Sequence, residues 1–184
     1  MASTDNRQEV YVSIVVETEG PIPGPYSMRG LGAVALDKEG VEIGTFETFI
    51  DRLPKAKVHP DNAKYWANPN NVSLYDKMDK ESRAPIDAVS NFVVWARGLP
   101  GKPILAAYNS AHTWMWVHWY TTTYTTKNPF TLTPLDLKTL ASIYVDRSFL
   151  SVSKADFPQD WRLDSGKSRC VKARQKSKPT SSDH

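Results

Sequence analysis

An α/β domain with a mixed five-stranded sheet is the fold class this sequence predicts, on three observations. Strand-like runs rich in β-branched residues fill positions 9–50. Apolar residues recur at three and four residues from Ala84 onward. Two short apolar runs, Pro103 to Tyr108 and Leu132 to Leu137, alternate with helix-like segments. The expected order is β-β-β-α-β-α-β-α, with three antiparallel strands followed by parallel ones.

Each element has its own signal. EVYVSIVV, Glu9 to Val16, is apolar on both faces, as a central strand covered on both sides must be. Gly20, Pro21, Pro23, Gly24 and Pro25 break it, and LGAVALD, Leu31 to Asp37, resumes as a second strand. KEG, Lys38 to Gly40, is a hairpin connection into VEIGTFETFI, Val41 to Ile50. The polar stretch Asp51 to Ser82 carries Pro54, Pro60 and Pro69, and short helical pieces are expected only around Asn62 to Trp66. Pro85 then opens a helix on which Ile86, Val89, Phe92, Val93 and Ala96 share one side, and Gly98 ends it. After the strand at Pro103 to Tyr108, a helix is expected from about Ala111 to Tyr124, and another over Lys138 to Tyr144.

Length and charge narrow the possibilities. A chain of 184 residues suits one ordinary domain, and neither a repeat nor a low-complexity linker divides it. Cys170 is the one cysteine, so no intramolecular disulfide can form, which suits a reducing, intracellular compartment such as the cytoplasm. The N-terminal MASTDNRQE is too polar for a secretory leader, and no apolar run approaches the ~18 residues of a membrane span. Six of the 23 Lys and Arg, but one of the 20 Asp and Glu, fall within residues 165–184. Residues 1–164 therefore read as a nearly neutral domain, and residues 165–184 as a basic segment that is poorly ordered from about Lys176. Such a segment either neutralises phosphates or serves solubility alone.

Carboxylates at the end of a strand point to metal chemistry, and VVETEGPIPGPYSM, residues 15–28, ends its strand in Glu17 and Glu19. That stretch continues through GTFETFI, and together with AAYNSAHTWMWVHWY and PLDLKTLA it resembles the DEDDh-type 3′-5′ exonucleases of the ribonuclease H-like superfamily. The resemblance covers most of Val10 to Ala141 and weakens after Trp161. It implies a ribonuclease H-like fold, with Asp-x-Glu on the first strand and a second Asp at the helix following the fourth strand. A C-terminal helix then supplies a His and, five residues on, a last Asp. Four carboxylates hold two metal ions and the His is the general base. The spacing has a physical reason, because residues two apart on a strand share a face and hard dications need several oxygen ligands.

Placed on this sequence, the pattern leaves one carboxylate. With Gly20 and Pro21 as anchor, the first Asp falls on Val15 and the Glu on Glu17; the second Asp falls on Thr113, preceded by His112. The best placement of the C-terminal motif puts its His on Ser165 and its Asp on Cys170, and residues 165–182 contain no Asp, Glu or His. Reading Glu17-x-Glu19 instead restores a pair on one face but moves the turn out of register. Thr113 is a weak neutral donor and Cys170 a soft one, so neither suits Mg²⁺.

The remaining candidates divide between packing and binding. His112 and His118 lie six apart on a helix and form a poor metal pair. Trp119 and Tyr120 are expected in the core, whereas Trp114 follows the former catalytic position and is a candidate for base stacking. Cys170 sits among Lys167, Arg169 and Lys172, which favours its thiolate, but no partner base is visible.

The expectation is an exonuclease-like domain without catalysis that keeps a groove for a nucleic-acid single strand or 3′ end, or for a protein partner. Thr18 and Gly20 line the terminal-nucleotide pocket that the resemblance implies, with phosphate contacts from Lys167, Arg169, Lys172 and Arg174. No cofactor is expected on this reading. Two alternatives stand beside it: an active exonuclease requiring Mg²⁺ or Mn²⁺, and a structural subunit of a larger assembly.

Overall fold

The computed structural model describes residues 8–153 together with Asp156. A five-stranded mixed sheet runs in the order β3-β2-β1-β4-β5. Its strands are β1 (Glu9–Thr18), β2 (Met28–Leu36), β3 (Glu42–Phe49), β4 (Lys102–Ala107) and β5 (Leu135–Asp136). The first three form the expected antiparallel meander, and β1 pairs with β4, and β4 with β5, in parallel. Five helices complete the fold: α1 (Pro60–Trp66), α2 (Pro69–Glu81), α3 (Pro85–Arg97), α4 (Ser110–Thr125) and α5 (Leu137–Tyr144).

The segment after β3 is more helical than its composition suggested. Pro60 and Pro69 initiate helices there, each at the first position where its missing N–H costs nothing. His59 caps α1 by accepting from the Asp61 N–H, and Asn68 caps α2 by accepting from the Asn70 N–H. With few apolar residues, α2 shows no strong periodicity, yet Met78 is fully buried and clusters with Phe49 and Trp66.

The main core lies on the other sheet face. Val10, Val12 and Ile14 of β1 meet Val89, Phe92 and Val93 of α3 and Trp116, Val117 and Tyr120 of α4, all buried. Two contacts carry this packing to the end of β1. The Met28 N–H donates to the Tyr120 hydroxyl at 2.8 Å, and Glu19 N–H to the Ser27 carbonyl at 2.9 Å, so the start of β2 and the residue after β1 are held over α4. Asp136 pins the other side: its carboxylate caps α5 through the Thr139 N–H and receives both the N–H and the hydroxyl of Ser110 at the start of α4.

Candidate nucleic-acid cleft

Parallel strands commonly carry their ligands beyond their carboxyl ends, and here β1 and the helix following β4 converge on a cleft of about 470 Å³. It is lined by Thr18, Gly20, Pro21, His59, Asp61, Asn62 and His112. The ladder register shifts between Glu17 and Thr18, a bulge of the kind that redirects a strand end. The Thr18 carbonyl then accepts from Asn62 Nδ2 at 3.0 Å and from Trp66 Nε1 at 3.2 Å, which docks α1 on the strand end. One residue on, the Glu19 carbonyl accepts the His59 N–H at 2.7 Å and brings that imidazole to the cleft. Gly20 is required by close approach: a Cβ there would lie 2.1 Å from the Tyr26 ring. Tyr26 in turn meets His59 edge-on, with ring centroids 5.8 Å apart.

The residues singled out from the sequence fall in different places. Thr18 and Gly20 line the cleft. Glu17 is 8% exposed, lies over Gly30 beside the Met78 sulfur on the α2 side of the sheet, and does not line it. Val15, on the same face of β1, is 36% exposed. Thr113 is buried within α4, whereas its neighbour His112 reaches the cleft, half-buried, and burial lowers its pKa and favours the neutral imidazole. Trp114 packs partly against the core, stacks on His118 with centroids 5.0 Å apart, and is absent from the cleft lining. Trp116 and Tyr120 are fully buried. Ser165, Lys167, Arg169, Cys170, Lys172 and Arg174 lie outside the described residues.

Glu19 is not a substitute metal ligand. Its side chain is 0% exposed, and Oε1 receives Arg29 at 3.0 Å, Arg52 at 2.7 Å and the Tyr75 hydroxyl at 2.7 Å. Oε2 is buried as well and has no hydrogen-bond partner among the described residues. Asp79 accepts from Arg29 at 2.7 Å, which closes a network of two cations and two anions. Among the described residues no group of three or more His, Cys, Asp or Glu can hold a metal ion, so this donor set does not fit a pair of Mg²⁺ or Mn²⁺ ions.

The sequence reading missed His59, Asp61 and Asn62. Their helix-starting role has a local signal, His-Pro-Asp-Asn with a capping side chain and a first-turn proline, but their place at the cleft has none.

No family model matches the chain. A protein of Escherichia coli named 3′-5′ DNA exonuclease Cap18 is 27% identical over 161 residues, which is 85% of this chain and 74% of that protein. Among solved structures, the nuclease domain of 3′hExo, a DEDDh family member bound to rAMP, superposes with a TM-score of 0.61 at 11% identity over 83% of this chain and 78% of that one. The E. coli exonuclease I–single-stranded DNA complex in its zinc-bound form gives a TM-score of 0.60 at 12% identity over 74% of this chain. The match spans 30% of the exonuclease I chain. The β3-β2-β1-β4-β5 sheet and this likeness agree: the chain has a ribonuclease H-like fold, shared with the nuclease domain of a DEDDh family member, and is similar over most of its length to a protein named a 3′-5′ DNA exonuclease.

Proposed function

We propose that this chain is a non-catalytic exonuclease-like domain that holds the end of a nucleic-acid strand in the cleft beyond β1. The reading is carried by Val15 and Thr113, an apolar residue and a buried hydroxyl where the resemblance calls for two of the metal-binding carboxylates. The relative named a DNA exonuclease and the neighbour structures with single-stranded DNA and rAMP support nucleic acid as the ligand class. Lys167, Arg169, Lys172 and Arg174 supply further phosphate contacts.

The test combines binding and trimming. Labelled single-stranded DNA and RNA are titrated with the full chain and incubated with Mg²⁺ or Mn²⁺. Binding without shortening is expected. Shortening that disappears in Glu17→Ala would overturn the reading in favour of metal-dependent catalysis, while a contaminating nuclease would survive that substitution.

One observation favours a second reading, a structural subunit. Leu140, Ile143 and Tyr144 of α5, with Phe149 and Leu150 after it, expose apolar side chains on neighbouring stretches of the chain. On that reading neither oligonucleotide binds, even at low salt.

A further inference from the structure

We infer that the cleft selects strand ends carrying a 3′-terminal phosphate monoester, with the imidazoles of His59 and His112 as the groups that contact it. The inference rests on the reading of the cleft as a strand-end site.

Donor capacity points to the imidazoles. The Thr18 hydroxyl is spent on the Gly20 carbonyl at 3.2 Å, and Asn62 Nδ2 commits one of its two hydrogens to the Thr18 carbonyl, which leaves the amide one donor beside the two rings. His59 Nδ1 accepts the Asp61 N–H at 3.3 Å. With that nitrogen acting as acceptor, the neutral ring carries its proton on Nε2, which remains a donor. His112 meets Trp116 edge-on at 6.2 Å and enters the cleft from α4, whereas His59 enters from the start of α1. Two ring donors from two elements can share the oxygens of a terminal phosphate, which offers about three acceptors and a charge of about −1.5 to −2. A 3′-hydroxyl end offers a single neutral acceptor oxygen and no charge.

Charge removal makes room for that anion. Four clustered carboxylates would repel a phosphate monoester unless metal ions offset them. Here the position of one carboxylate holds Val15, that of another holds Thr113, and Glu17 lies outside the lining. The acidic lining residue is Asp61, whose side chain is 80% exposed and whose Oδ2 lies 3.8 Å from His59 Nδ1. The volume of about 470 Å³ falls within the range of small-molecule sites, about 300–1,000 Å³.

Two fluorescent single strands of identical sequence, one ending in a 3′-hydroxyl and one in a 3′-phosphate, provide the test by anisotropy with the full chain. The phosphate-terminated strand is expected to bind about fivefold more tightly, the worth of one net hydrogen bond from a ring N–H. His59→Asn keeps a capping side chain at α1 while removing the ring, and His112→Gln removes the second ring; each should erase most of the preference. Asp61→Asn should enlarge it. Inorganic phosphate as competitor should displace only the additional affinity. Equal affinity for the two ends, or a preference that survives both histidine substitutions, overturns the inference and leaves strand-end binding standing. Binding of neither strand overturns both.

Discussion

The guanidinium of Arg29 and the carboxylate of Glu19 form an ion pair at 3.0 Å with side chains 2% and 0% exposed, one residue beyond the end of β1. Arg29 Nε also donates to the Ile50 carbonyl at 2.9 Å, so the pair ties the end of β1 to the end of β3. Arg52 and Tyr75 converge on the same Glu19 oxygen and bring in α2. Removing one partner of such a pair strands a buried charge, at a cost of about 3–5 kcal/mol. Glu19→Gln is therefore expected to lower the urea midpoint by that much stability and to loosen the α1–α2 segment in hydrogen exchange. A loss under about 1 kcal/mol, the worth of a surface pair, would contradict the assignment.

The legible parts of the fold were those whose signals are local. The β-branched runs of β1 to β3, the Lys38–Gly40 turn and the apolar stripe of α3 all stand in consecutive residues, and they formed as expected except that β2 starts three residues earlier, at Met28. The segment from Asp51 to Ser82 was opaque because Pro60 and Pro69 look like breakers until their caps are seen. The cleft divides in the same way. Thr18 and Gly20 belong to the strand end, but His59 is brought there by an N–H bond to the Glu19 carbonyl, a contact 40 residues long in sequence that no periodicity encodes. The fate of Glu19 was hidden for the same reason, since Arg29, Arg52 and Tyr75 reach it from three separate segments.

Val15 and Thr113 should respond differently to restoration of a carboxylate. Val15 is 36% exposed, so Val15→Asp introduces a hydrated charge and is expected to cost about 1 kcal/mol, the span of strand preference. Thr113 is buried on α4, so Thr113→Asp must desolvate its charge and is expected to cost several-fold more. Adding Mn²⁺ to the double variant should recover part of that loss if both positions face a shared site with Glu17, because a ligand bound only by the native state stabilises it. Thermal melts with Mn²⁺ and with chelator decide the matter; identical melts would show that these positions share no pocket.

Asp136 links the starts of α4 and α5 and makes a pH-dependent contribution. Against the cost of its partial burial, hydrogen bonds from the Thr139 N–H and from the N–H and hydroxyl of Ser110 hold its pKa below the ordinary 3.8. A depressed carboxyl pKa contributes stability that is full above the unfolded value and fades as pH falls below about 3.8 toward the folded value. Asp136→Ala is expected to cost about 1 kcal/mol at pH 7, as loss of a helix cap does. It should also show a shallower acid slope below pH 4 than the parent. Parallel urea titrations at pH 7 and pH 3.5 measure both, and an unchanged acid slope would remove Asp136 as the titrating group.

The basic segment separates a nucleic-acid binder from a structural subunit. Residues 165–184 hold six of the 23 Lys and Arg and turn a slightly acidic remainder into a net cation, so affinity for a strand should lean on them. Each phosphate neutralised on a single strand contributes about 0.7 to the slope of log K against log salt. Replacing Lys167, Arg169, Lys172 and Arg174 with Gln in the full chain removes four charges, and the slope should fall by roughly 3 if all four reach phosphates. What remains should be the weaker, nearly salt-independent affinity of the cleft itself, where neutral hydrogen bonds dominate. A short labelled oligonucleotide followed by anisotropy across a salt series gives both slopes. Equal slopes would take the basic segment out of the interface, and a residual affinity unaffected by His59→Asn would take the cleft out of it too.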